Sequence, residues 1–96
     1  MILFSLNAAS DPIKFIVENN TSATLIELQI SANNYSWSSF SSVNLSSSNS
    51  AVFEWIPTPE SNCVQYVRGN FKKGGWSAPI KIDFCKNPNV KITFGS

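Results

Sequence analysis

Apolar residues recur along this chain in short runs with a period of two, and clusters of Asn, Ser, Pro and Gly separate the runs. Asp11-Pro12 opens Ile13 to Glu18, and Asn19-Asn20-Thr21-Ser22 turns the chain into Thr24 to Ile30. In that second run Ile26, Leu28 and Ile30 share one face while Glu27 and Gln29 share the other, which is the pattern of a half-buried strand. Ala51 to Ile56 is the next strand, ended by Pro57-Thr58-Pro59, whose prolines remove ladder donors and hold an extended connector. Asn62 to Phe71 and Trp76 to Cys85 read as a hairpin closed by Lys72-Lys73-Gly74-Gly75. After the turn Lys86-Asn87-Pro88-Asn89 comes a last strand, Val90 to Phe94. No window of about 11 or more residues shows helical spacing.

Residues 32–50 are the least regular part, with nine serines between Ser36 and Ser50 around Tyr35, Trp37, Phe40, Val43 and Leu45. Aromatic and apolar residues recurring there imply packing, so the segment reads as a loop with one or two short edge strands rather than as low-complexity disorder. The whole predicts an all-β protein, an antiparallel β-sandwich of about 6–8 strands, immunoglobulin-like or similar. A length of 96 residues suits one such domain, over residues 11–96. Residues 1–10 divide into an apolar run, Met1 to Leu6, and Asn7-Ala8-Ala9-Ser10 with small residues where a signal peptidase would cut. The basic n-region is missing and the apolar part is short, so the segment is either a remnant of a signal peptide or an N-terminal edge strand.

The hairpin allows a register to be proposed. Pairing about a three-residue loop centred on Gly74 sets Val64 opposite Phe84, Tyr66 opposite Ile82 and Arg68 opposite Ile80. It also sets Cys63 opposite Cys85, Gln65 opposite Asp83 and Val67 opposite Lys81. One face then collects Val64, Tyr66, Ile80, Ile82 and Phe84 for the core, and the other carries the two cysteines. Opposed residues bring their Cβ atoms to about 4.5–5.5 Å, close enough for a disulfide after slight closure. The alternative is two separate buried thiols. Two cysteines without histidine make no zinc site, and the spacing is not the Cys-x-x-Cys of a redox enzyme. A structural disulfide places the chain outside the cytoplasm, periplasmic or secreted.

Composition narrows the function. Charged residues are only 14% of the chain, and the polar surface is built instead from sixteen Ser and eleven Asn. The net charge of +1 argues against general nucleic-acid binding, which needs several clustered cations. Charge is unevenly placed: residues 1–60 hold one cation and five carboxylates, net −4, whereas residues 61–96 hold six cations and one carboxylate, net +5. Either the two halves neutralise each other across the fold, or the basic half steers an anionic partner. No apolar stretch reaches the roughly 18 residues of a membrane helix.

Without histidine, the Ser-His-Asp and Cys-His nucleophile arrangements are excluded. Glu27 and Glu54 occupy polar strand faces, which suits solvated surface better than a tuned acid pair. No phosphate-binding loop, Ca²⁺ loop or nucleophile elbow occurs, so the expectation is a non-catalytic protein without a cofactor.

Three features could bind a partner. Lys72, Lys73 and Trp76 form a cationic, aromatic hairpin tip suited to an anionic glycan, a lipid head group or an acidic partner; the plainer reading is a turn whose Trp folds back on the sheet. Tyr35, Trp37 and Trp55 could stack on sugar rings, or simply plug the end of the fold. An edge strand in the Ser-rich region could accept a strand from another chain. Sequons stand at Asn19, Asn20, Asn34 and Asn44.

The order F-x-V-x-N-N-T (Phe15 to Thr21), Trp37, C-x(4)-R-x(2)-F-x(2)-G (Cys63, Arg68, Phe71, Gly74) and I-D-F-C (Ile82 to Cys85) resembles a group of small exported bacterial β-sandwich proteins of unassigned function. Their pattern has a Gly after the loop Trp and aspartates after the first Cys and before the hairpin Gly, where this chain has Ser38, Tyr66 and Lys73. The resemblance implies export, the hairpin and the disulfide, and no activity. The expectation is therefore an exported binding protein that engages a protein partner, of inhibitor, immunity or surface-assembly type. A carbohydrate-binding module using Tyr35, Trp37, Trp55 and Trp76 is the alternative.

Overall fold

The computed structural model describes residues 12–40, 43–57 and 61–95, so the segment 1–10 lies outside the described residues. Eight strands are found and no helix among the described residues: β1 (Ile13–Asn19), β2 (Leu25–Ser31), β3 (Ser38–Ser39), β4 (Asn49–Trp55), β5 (Val64–Phe71), β6 (Gly75–Trp76), β7 (Ile80–Asp83) and β8 (Lys91–Phe94). None of the described residues form a helix long and apolar enough to cross a membrane.

The strands form two sheets, the first ordered β4-β1-β8 and the second β3-β2-β5-β6, with β7 also paired to β5. Alternation along β1 buries Phe15, Val17 and Asn19 and turns Lys14 and Glu18 the other way. Its pairing with β4 is antiparallel, from Ile13–Trp55 to Asn19–Asn49, but its pairing with β8 is parallel, from Ile16–Lys91 to Asn19–Phe94. The expected uniformly antiparallel arrangement therefore fails at one edge. The chain crosses from the second sheet to the first between Phe84 and Val90 and arrives running the same way as β1, and only such a crossover permits a parallel pair.

Aromatic contacts join the sheets. Phe15 lies 5.4 Å from Phe84 and 5.7 Å from Phe40, and Phe71 of the second sheet meets Phe94 of the first edge-on at 5.5 Å. Leu25, Leu28, Val67, Ile82 and Ile92 complete the buried layer. Each such side chain contributes roughly 1.5–3 kcal/mol by leaving water. Gly69 lies in this layer because a Cβ there would come within 2.6 Å of Leu25 Cδ1.

Two strand faces differ from expectation. In β2 the pairing steps from Leu25–Phe71 to Glu27–Asn70, so Ile26 is an extra, unpaired residue. The bulge sends Leu25 inward and leaves Ile26 39% exposed, replacing the expected face of Ile26, Leu28 and Ile30.

In the hairpin the pairs at the tip are Phe71–Gly75 and Asn70–Trp76, whereas below Pro79 they are Val67–Ile80, Tyr66–Lys81, Gln65–Ile82 and Val64–Asp83. One additional residue therefore lies on the returning strand. It is accommodated where Ser77 N donates to Gly69 O (2.7 Å), Ser77 Oγ accepts from Gly69 N (3.0 Å), and Pro79 lacks a donor for the ladder. The proposed register is thus wrong by one residue, and every side chain of β5 changes face. Gln65, Val67, Gly69 and Phe71 point inward, and Val64, Tyr66 and Arg68 point outward. The turn itself is centred on Lys73 rather than Gly74: Gly74 N donates to Phe71 O (2.9 Å) and Lys73 takes φ 67°.

The disulfide forms nonetheless. Cys63 and Cys85 are bridged with their α-carbons 5.4 Å apart. Phe84 N donates to Cys63 O (2.9 Å), so the ladder sets Cys63 opposite Phe84. Asp83 Oδ1 then accepts from Cys85 N (3.1 Å) and Lys86 N (3.2 Å), and this turn delivers Cys85 to its partner.

The Ser-rich region behaves as expected where it is described. β3 is a two-residue edge strand, Phe40 N donates to Leu28 O (2.9 Å), and Leu45 is buried through a bridge to Leu25.

Candidate binding site

The changed face of β5 creates the site. Arg68 projects from the outer side of the second sheet, and its Cζ lies 4.1 Å from the centre of the Trp37 ring and 4.2 Å from that of Trp76. Trp37 immediately precedes β3 and Trp76 ends β6, so the β5–β6 hairpin and a loop distant from it in the chain place a guanidinium beside two indoles. Guanidinium groups stack on aromatic faces because the ring quadrupole attracts the cation while the planar group keeps its edges for hydrogen bonds.

Gln29, directly opposite Arg68 in the β2–β5 ladder, orients that edge. Its Oε1 accepts from Arg68 Nε (2.9 Å) and Nη2 (2.8 Å). Gln29 Nε2 donates in turn to Ser39 Oγ (3.2 Å) and Glu27 Oε2 (3.3 Å), and Ser39 Oγ donates to Glu27 Oε2 (2.6 Å). The network runs across β3, β2 and β5 and fixes which end of the Gln29 amide faces the arginine.

Charge differs between the two outer faces. On the first sheet Lys14 pairs with Glu54 (3.8 Å) and Lys91 with Glu18 (3.6 Å). Both pairs lie within one sheet; Lys91–Glu18 joins the basic half of the chain to the acidic half, whereas Lys14–Glu54 lies within the acidic half. Arg68 has no ion pair among the described residues. Lys81, exposed and opposite Tyr66, adds a second cation to the same outer face.

The six candidate residues separate. Trp37 and Trp76 come together through Arg68, which sequence reasoning missed because the proposed register turned it toward the core. Trp55 faces inward, its ring 5.5 Å from Phe84, and takes no part in the outer face. Tyr35 is 86% exposed in the loop between β2 and β3, where Asn33 Oδ1 accepts from Tyr35 N (2.9 Å) and Ser36 N (2.8 Å). Lys72 and Lys73 are exposed at the hairpin tip.

Of the four sequons, Asn19 is fully buried, whereas Asn20, Asn34 and Asn44 are exposed. Comparison of the chain with protein-family models, with curated proteins and with solved structures finds no match.

Proposed function

We propose that the chain is a small exported, non-catalytic β-sandwich of immunoglobulin-like type that binds a protein partner through the outer face of its second sheet. The Trp37–Arg68–Trp76 stack carries this reading. Trp, Tyr and Arg are the residues that dominate protein interfaces, because they bring large apolar area together with a directed polar group. Here the arginine is already immobilised by two rings and Gln29, so docking would cost little side-chain entropy at that point. The Cys63–Cys85 bridge supports a periplasmic or secreted setting, and the resemblance to small exported bacterial proteins belongs to the same reading.

Carbohydrate binding is the weaker alternative. Trp55 packs inside, and Trp37 and Trp76 each give a ring face to Arg68 rather than to a sugar.

The test follows tryptophan emission while the protein is titrated with two kinds of probe: peptides selected from a random display library, and a panel of neutral oligosaccharides. Peptides that shift the emission of the native protein and bind Trp76→Ala about tenfold or more weakly support the reading. A sugar class that quenches emission, with the quench lost in Trp76→Ala, contradicts it.

A further inference from the structure

We infer that Arg68 is the reader of an acidic side chain, so that the protein partner presents an Asp or Glu to the open end of the guanidinium. This rests on the docking face described above and names the chemistry it selects.

A guanidinium has five N–H donors arranged as a fork. In Arg68 the side bearing Nε and Nη2 is taken by a single oxygen, Gln29 Oε1. The end formed by Nη1 and the second Nη2 hydrogen has no acceptor among the described residues, and it matches the two parallel donors that a carboxylate accepts. Two indoles lie with their ring centres 4.1 and 4.2 Å from the guanidinium carbon and hold the group while this end stays open.

Charge selects the same ligand. Gln29 satisfies two donors but brings no charge, and the carboxylate of the network, Glu27, accepts from Ser39 and Gln29 rather than from Arg68. The two ion pairs of the described residues lie on the opposite sheet, so Arg68 makes no direct ion pair among the described residues and meets the Glu27 carboxylate only through Gln29. Lys81 on the same face adds to the field that would draw an acidic segment in. A guanidinium packed against two indoles is less hydrated than a free one, which strengthens a bidentate pair with a carboxylate relative to the same pair in open water.

The experiment selects linear peptides from a random display library on immobilised native protein and resynthesises the winners with each Asp or Glu changed to its amide isostere. The expected result is one acidic position whose amide isostere binds native protein about tenfold or more weakly. Against Arg68→Gln the acid and amide peptides should bind alike, and Arg68→Lys, which keeps charge but loses the fork, should restore only part of the difference. Making the decisive comparison on the peptide removes any dependence on how well a variant folds.

Peptides that need Trp76 yet tolerate every amide isostere overturn the carboxylate inference and leave the docking face standing. Failure to recover any peptide whose binding depends on Trp76 overturns both. An oligosaccharide bearing uronate or sialate groups that binds in an Arg68-dependent manner, where peptides do not, overturns the assignment to a protein.

Discussion

Asn19 shows how one buried amide can organise a turn. Its Nδ2 donates to Ala23 O (2.8 Å) and Leu45 O (2.9 Å), and its Oδ1 accepts from Thr21 N (3.0 Å) and Thr21 Oγ1 (2.6 Å). The side chain thus ties the β1–β2 turn to the Ser-rich segment and leaves none of its own polar atoms unpaired. Asn19→Ala would leave Thr21 N without its acceptor and remove one of the two donors to Ala23 O and to Leu45 O, which keep Thr21 Oγ1 and Leu25 N, at a cost of about 2 kcal/mol. Urea unfolding should show a lower midpoint with an unchanged slope; an unchanged midpoint would contradict the assigned role. The sequence marked this cluster as a turn, which it is, but the same letters also read as a glycosylation sequon. Only burial separates the two meanings.

Among elements, period-two alternation located the strands well, because inward Phe15 and Val17 are bracketed by Lys14 and Glu18, and Ile92 and Phe94 alternate with Lys91 and Thr93. Register was less legible. A hairpin offset of one residue still places apolar residues on both candidate faces of β5, since Val64 and Tyr66 compete with Val67 and Phe71. The deciding feature is the extra residue around Ser77–Pro79, a local irregularity that no alternation pattern reports. The bulge at Ile26 is a second case.

The Cys63–Cys85 bridge was legible because the hairpin brings those positions close in either register. Across a separation of 22 residues the chain-entropy estimate is roughly 3 kcal/mol. Since the hairpin already confines its ends, we expect the double substitution Cys63→Ser with Cys85→Ser to cost about 2 kcal/mol. Thermal or urea unfolding of the variant against the oxidised protein measures this, and an equal midpoint would show that the bridge adds nothing to the fold.

At the scale of the whole molecule, the two outer faces have different characters: one is closed by Lys–Glu pairs, the other carries a stacked arginine with an open edge. The charge asymmetry between the halves of the chain hinted at this, but the site depends on residues brought together across long separations, Gln29 and Arg68 being 39 apart. Two of its members, Trp37 and Trp76, were legible as candidate aromatics; their union through Arg68 was not, because it follows from the register. Trp55, legible on the same grounds, belongs to the core instead.

The nuclear magnetic resonance spectrum of the free protein tests the arrangement directly. With Arg68 held beside two indoles, its Hδ and Hε protons should be shifted well upfield by ring currents, show nuclear Overhauser effects to both Trp37 and Trp76, and move downfield in Trp37→Ala and in Trp76→Ala. Arg68 resonances at ordinary solvent-exposed positions, with no effect to either indole, would contradict the outward face of β5 and the binding site built on it.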